Sequence, residues 1–345
     1  MIDRVLVVGF GSIGKRHLRL ARELLPASDI RVLRRKLSDE IPEYANGCFS
    51  SLSDALAFSP NIAVIATPAP FHIATAQALA DTGAHLLIEK PLSASFHGVN
   101  RLLDTCKEKR VVLMVGYNLR FVPSLQRFRT FVFEGVIGRV LSLRCEIGQY
   151  LPSWRPDSDY RQGVTAKREL GGGALLELSH EIDYLRWVFG DVEWVISSLS
   201  RQSGLDIDVE DSANIIIGFC SKEEEGRKLI GTLNLDLIRH DSTRTCLAIG
   251  ENGSLRWDGL TGQVMLYREG EKVWRELFSF QHHRDDSYRA EWRHFVHCVA
   301  NATSPLISGE DGLRVIEIIE AARRSSELSR RVDVDKCDEP NGVNS

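Results

Sequence analysis

The stretch Val5-Leu6-Val7-Val8 runs without a polar interruption into Gly9-Phe10-Gly11-Ser12-Ile13-Gly14. Beyond it, Ile13, His17, Leu18, Leu20, Ala21, Leu24 and Leu25 recur at helical spacing until Pro26. A continuous aliphatic run of this length predicts a strand buried on both faces of a parallel sheet, and the order strand, glycine loop, helix follows from it. In that order each glycine has a purpose. Gly9 permits a tight turn, Gly11 lets backbone approach a pyrophosphate, and Gly14 allows close helix-to-strand packing. The free N–H groups at the helix start favour an anion. Gly9, Phe10, Gly11, Ser12, Ile13 and Gly14 are therefore the expected cradle of a dinucleotide.

The alternation continues downstream. Ile30 to Leu33 and Ile62 to Ala66 read as strands, Ala74 to Leu79 as a helical patch, His85 to Ile88 as a strand, Val99 to Cys106 as a helix and Val111 to Val115 as a strand. This predicts a doubly wound parallel sheet, a Rossmann domain, over residues 1–120. The character then changes. Leu125 to Phe133 reads as a helix and Val140 to Ile147 as a strand, and Gly171-Gly172-Gly173 precedes one helical stretch from Leu175 to Phe189. Strand-like segments follow at 192–199, 212–219, 229–237, 245–249, 254–257 and 264–267, then helices from Tyr288 to Ala300 and Gly309 to Leu328. The second domain, 121–334, is thus expected to be α/β with a large, mainly antiparallel sheet, and the polar residues 335–345 a poorly ordered tail. An extended sheet of this kind has an open face to cover, which predicts a homodimer or homotetramer.

A length of 345 residues suits two domains, and a net charge of -4 argues against a nucleic-acid surface. With no apolar run approaching the ~20 residues of a membrane helix, the expectation is a cytoplasmic protein. Seven cysteines, Cys48, Cys106, Cys145, Cys220, Cys246, Cys298 and Cys337, form no C-x-x-C pair and read as reduced thiols. His282, His283, His294 and His297 lack the companions of a tetrahedral set, so no metal is expected.

An adenine ribose held through its 2′-OH calls for an acidic residue after the second strand. Arg34-Arg35-Lys36 stands there instead, so Arg34 and Arg35 favour NADP over NAD, with Asp39 or Glu40 as the carboxylate that could still fold back. Further on, Glu89-Lys90-Pro91 ends a parallel strand, on the edge where such sheets bind ligands, and Pro91 biases Lys90 to an extended conformation. The ammonium of Lys90 can donate to a substrate oxygen and stabilise charge developing on it.

With these residues the chain resembles the Gfo/Idh/MocA oxidoreductases, the family of glucose-fructose oxidoreductase and inositol dehydrogenase. The resemblance rests on the glycine loop, on Ala66-Thr67-Pro68 with His72, on Glu89-Lys90-Pro91, on Gly116-Tyr117-Asn118-Leu119-Arg120-Phe121, and on the triple glycine followed by a His/Asp helix. It implies hydride exchange between nicotinamide and a carbinol or ketone of a sugar, polyol or sugar nucleotide, with Lys90 as the catalytic lysine. It also implies that Thr67, Pro68, His72 and Glu89 lie at the cofactor and Asn118 at the substrate.

In Glu177-Leu178-Ser179-His180-Glu181-Ile182-Asp183, His180 and Asp183 share a helical face, and the imidazole could exchange the hydroxyl proton. Relatives commonly carry Asp four residues before the His; here that position is Leu176, and Glu177 and Asp183 compete for the carboxylate role. Arg120, Trp154, Arg155, Tyr160 and Arg161, with Tyr150, Lys167 and Arg168, mix rings that stack on a sugar with guanidinia that hold an anion. The wording of this loop is similar to the branch of bacterial surface-polysaccharide and amino-sugar biosynthesis. The competing readings are a catalytically silent dinucleotide-binding regulator and a reductase of a non-sugar substrate.

Overall fold

The computed structural model describes residues 2–35, 40–154, 156, 158–220, 228–281, 283 and 285–334. The expected tail, together with Lys36, Asp39, Arg155 and His282, lies outside them.

The chain begins with β1 (Arg4–Val8), α1 (Ser12–Leu24), β2 (Asp29–Leu33), β3 (Gly47–Phe49), α2 (Leu52–Ala57), β4 (Ile62–Ile65), α3 (His72–Asp81), β5 (His85–Glu89), α4 (Val99–Lys109) and β6 (Leu113–Gly116). The six strands form one sheet in the order β3-β2-β1-β4-β5-β6, every neighbour parallel. Strand order reverses beside β1, which places a switch point between β1 and β4. β1 and β4 are solvent-excluded as their composition requires, with Val5, Leu6, Val7 and all of Ile62–Ile65 at 0% exposure. The sequence reading passes over β3 and α2. β3 is three half-buried residues with no run to detect, whereas α2 carries a cap signal, the Ser51 side chain accepting from the Asp54 N–H.

The chain continues through α5 (Pro123–Phe133), β7 (Val140–Gly148), α6 (Ala174–Glu177), α7 (His180–Phe189), β8 (Val192–Ser200), β9 (Ser212–Phe219), β10 (Ile230–Asp236), β11 (Thr243–Gly250), β12 (Gly253–Asp258), β13 (Gln263–Arg268) and β14 (Arg275–Ser279). It ends with α8 (Asp286–Asn301), α9 (Gly309–Leu328) and β15 (Val332–Asp333). The second sheet has nine strands, β14-β13-β12-β11-β7-β10-β9-β8-β15. All its neighbours are antiparallel except β7 with β10.

The chain divides into two compact units, Met1–Asn118 with Asp285–Ile316, and Leu119–Arg284 with Glu317–Cys337. The first boundary falls between Asn118 and Leu119, and by its contacts the later segment Asp285–Ile316 groups with the first unit. The return has a backbone cause. The Val115 N–H donates to the Ile307 carbonyl and Met114 bridges to Ser308, so the segment before α9 pairs along the outer edge of β6. A Cβ at Gly312 would come 2.9 Å from both Leu92 and Val115 side-chain atoms, so the start of α9 presses on the same sheet.

Within the second unit, one sheet face is core. Leu233, Cys145, Cys246, Ala248, Leu255 and Trp257 are buried there, the Trp257 indole N–H donates to Ser124 on α5, and the Tyr184 hydroxyl of α7 meets Cys145 Sγ at 2.9 Å. The opposite face carries the cross-strand row Ile196, Ile216, Thr232, Arg144, Leu247, Arg256 and Met265. Ile196 and Ile216 stay 39% and 40% exposed.

Candidate active site

At the glycine loop, Gly9 adopts φ +95°, and a Cβ on it would lie 2.7 Å from the Ala66 carbonyl oxygen. A Cβ on Gly14 would collide with the Gly9 carbonyl. Both glycines answer packing within the protein. Gly11 does not, because a Cβ there would meet nothing within 4 Å. The space it leaves lies at the start of α1, where Gly11 caps without a side chain and the first turn holds no acidic residue. An opening at an uncapped, cationic helix end fits a pyrophosphate. The residues present therefore fit a dinucleotide, and the fit is a property of this loop's own sterics.

Because β1, β4 and β5 are parallel, Gly9, Thr67 and Lys90 follow strand ends on one edge of the sheet. His72 is buried, its Nε2 2.7 Å from the Thr67 carbonyl and its Nδ1 3.1 Å from that of Pro91. The ring lies between two strand-end turns; burial lowers its pKa, against the hydrogen bonds to these carbonyls, which raise it. Glu89 is also buried, with Oε1 2.7 Å from His17 Nε2 and Oε2 accepting the Lys90 N–H at 3.2 Å. Burial alone would raise its pKa; the His17 hydrogen bond, the Lys90 charge and the Lys90 N–H act in the opposite direction and favour the carboxylate. Asn118 is buried and donates to Ser287 Oγ at 2.9 Å. Arg34 lies over the Phe10 ring at 5.6 Å and donates to the Glu40 carbonyl, while Arg35 lies over Phe71 at 5.4 Å.

In the second unit the single helix expected from 175 to 189 is two. α6 ends at Glu177, Leu178 takes φ -98° and ψ 22°, and α7 restarts at His180. Glu177 and His180 thus do not share a helix face, although apolar spacing runs unbroken across the gap. His180 opens α7 half-buried. The Glu177 carboxylate accepts from Thr165 Oγ1 at 3.3 Å. Asp183 is buried and takes a two-pronged grip from Arg120, Nε to Oδ2 at 2.9 Å and Nη2 to Oδ1 at 2.7 Å. Both were candidates for contact with substrate; here they neutralise one another, 3% and 1% exposed. Two residues before Asp183, buried Glu181 accepts from Arg244 Nε at 2.8 Å.

The loop arginines are also engaged. Arg161 pairs with Asp159 at 2.8 Å, and Arg168 holds Asp208 through its N–H and its guanidinium. The Tyr160 hydroxyl accepts from the Asp206 N–H, and Tyr150 stacks on His240 at 4.1 Å. Trp154 is half-buried, and its indole N–H has no hydrogen-bond partner among the described residues. Lys90 belongs to the first unit and His180 to the second.

Sequence reasoning missed three groups of the first unit. His17 was seen only as a member of a helical stripe; Trp292 donates from Nε1 to His17 Nδ1 at 2.9 Å, and Glu291 is buried without a hydrogen-bond partner among the described residues. A histidine three residues past the last loop glycine was the one available signal. His294 is spent on the Leu306 N–H, and among the described residues no three His, Cys, Asp or Glu side chains gather as a metal site.

Comparison with known proteins adds to this geometry. Residues 4–117 match the family model described as "Oxidoreductase family, NAD-binding Rossmann fold", and residues 129–334 match its C-terminal alpha/beta domain. Myo-inositol 2-dehydrogenase of Thermotoga maritima is 26% identical, with 96% of this chain and 99% of that protein covered. A structure of levoglucosan dehydrogenase in complex with NADH superposes with a TM-score of 0.83 at 22% identity, over 97% of this chain and 100% of that one. The WlbA dehydrogenase of Bordetella pertussis, in complex with NADH and UDP-GlcNAcA, superposes with a TM-score of 0.78 at 22% identity, over 96% and 99% of the two chains.

Proposed function

Since the chain belongs to the Gfo/Idh/MocA oxidoreductases, we propose that it oxidises a carbinol of a sugar or polyol, or reduces the matching ketone, with Lys90 and His180 as its catalytic residues. The observation that carries this reading is the glycine loop, whose one sterically unneeded glycine, Gly11, stands on the same sheet edge as Lys90. NAD(P), when bound, takes or gives the hydride. In the oxidising direction the Lys90 ammonium hydrogen-bonds the substrate oxygen and stabilises the charge left as its proton departs to His180. Reduction runs the same proton back from His180 to the oxygen. Asp183 acts through position: its bond to Arg120 fixes the first turn of α7, which carries His180. Glu177, on the preceding helix and bonded to Thr165, is the other candidate carboxylate.

Three finer assignments go with this reading. NADP is preferred over NAD, supported by Arg34 and Arg35 after β2. The chain forms a homodimer or homotetramer through the open sheet face, supported by exposed Ile196, Ile216 and Ile230; static light scattering at micromolar concentration tests it, and a monomer refutes it. A cytoplasmic location is supported by Cys145 and Cys246, direct neighbours across β7 and β11 that remain free thiols.

The test is NAD(P)H formation with myo-inositol, levoglucosan and UDP-GlcNAcA. With the substrate that turns over, Lys90→Ala should slow single-turnover hydride transfer by roughly 10²–10⁴, with cofactor affinity much less affected. Near-normal transfer eliminates the assignment of Lys90. Cofactor binding without turnover of any sugar or polyol favours the silent regulator.

A further inference from the structure

The hydrogen bonds behind Lys90 leave little freedom in where protons sit. An indole N–H only donates, so His17 Nδ1, 2.9 Å from Trp292 Nε1, is an acceptor and carries no proton. A histidine with a bare Nδ1 is neutral and keeps its proton on Nε2, which points at Glu89 Oε1 2.7 Å away. An imidazolium would set two donors against each other. The second Glu89 oxygen accepts the backbone N–H of Lys90 itself.

We propose that His17 and Trp292 are positioning residues: Trp292 fixes His17 as a neutral Nε2–H donor, and the Glu89 carboxylate it holds is left as one uncompensated negative charge directly behind Lys90. The inference rests on the assignment of Lys90 made above. It gives that lysine a fixed counter-charge which no buried imidazolium cancels.

The surrounding groups agree. Burial lowers the pKa of His72. The pKa of Glu291 is raised by burial and by the charge on Glu89. Tyr288 packs edge-on to His17, and burial pushes its hydroxyl pKa up, away from neutral pH. Arg16 lies over Tyr288 and pairs with Asp285 at 3.0 Å, where both side chains reach solvent. Of the groups facing this relay, Glu89 and Lys90 are left as the opposed charges.

The experiment is long-range ¹H–¹⁵N correlation of the ¹⁵N-histidine-labelled full chain with NADH, His17 being assigned by its loss in His17→Gln. The expected spectrum at pH 7 has a bare Nδ1 and a protonated Nε2. Trp292→Phe keeps a ring but removes the N–H, and in it Nδ1, no longer held as an acceptor, should carry a proton in part of the population. A protonated Nδ1 in the parent protein, or a Trp292→Phe spectrum identical to the parent's, overturns the proposal. Hydride transfer supplies a second readout. Gln at position 17 can place an N–H where Nε2 was, whereas Asn reaches only as far as Nδ1 and leaves Glu89 without its donor. His17→Asn should therefore transfer hydride at least about tenfold more slowly than His17→Gln, with NADH affinity within about twofold. Equal rates in the two variants overturn it. If the spectra hold while Lys90→Ala transfers hydride normally, the relay stands and the assignment of Lys90 is what fails.

Discussion

Glu291 offers a stability measurement that needs no substrate. Its carboxyl is fully buried, neither oxygen has a hydrogen-bond partner among the described residues, and burial with the Glu89 charge holds its pKa well above the normal value. In the unfolded chain the same group ionises near 4.3. The folded protein therefore keeps a proton that the unfolded chain releases, and stability is fully present below about pH 4.3 and falls as pH rises toward the folded pKa. Between those limits the linkage slope is about 1.4 kcal/mol per pH unit, so this residue lowers stability as the pH rises from 5 toward its folded pKa, by at most about 3 kcal/mol at pH 7. Glu291→Gln has nearly the same shape and no titration. Exchanging –OH for –NH₂ adds an offset at both pH values, which cancels when each protein is compared with itself. Urea unfolding of both proteins at pH 5 and pH 7 should show the variant gaining on the parent on going to the higher pH, by at most about 3 kcal/mol. A parent and variant with parallel pH dependence, within about 0.5 kcal/mol, would refute a buried neutral carboxyl at this position.

Gly11→Ala should fold with normal thermal stability and lose NADH affinity by tenfold or more, because its new methyl meets only the space a pyrophosphate needs; Gly14→Ala, driven into the Gly9 carbonyl, should instead lower the melting temperature, and the reverse pattern sinks the reading of the loop. Replacing Arg34 and Arg35 together by Ala should weaken NADP far more than NAD in a fluorescence titration, and equal losses would remove the assigned preference. Arg120→Met leaves Asp183 charged and buried, which should cost about 3–5 kcal/mol, while the double change with Asp183→Leu should recover much of that loss in the same unfolding assay.

What could be read from sequence was what depends on neighbours in sequence. The demands at Gly9 and Gly14 come from a turn and a helix a few residues long, so the loop is recognisable by spacing alone. β10 announces itself in the same way, since exposed Ile230, Thr232 and Asn234 alternate with buried Gly231, Leu233 and Leu235. The partners that decide the chemistry are distant. Arg120 and Asp183 are 63 residues apart, His17 and Trp292 are 275 apart, and no periodicity links either pair. The break between α6 and α7 was illegible for another reason: Leu175, Leu176, Leu178, Ile182 and Leu185 are all buried, so their pattern continues through a change of direction. β15, two residues long, is defined by pairing with Trp194 and Val195 rather than by any signal of its own.

The return of residues 285–316 to the first unit sets a timetable for synthesis. A ribosome delivers β1 through β6 early, yet Trp292, Ile307 and Gly312 emerge nearly 200 residues later. At about 5–20 residues per second this is a delay of about 10–40 s, during which the outer edge of β6 lacks its partner strand and His17 lacks its indole. The usual rule, that the N-terminal domain of a nascent chain is finished before the next is begun, does not hold here: the nucleotide-binding half is begun first but waits for residues 285–316, made after most of the second half, and a fragment cut after residue 118 would stop the molecule at that unfinished stage.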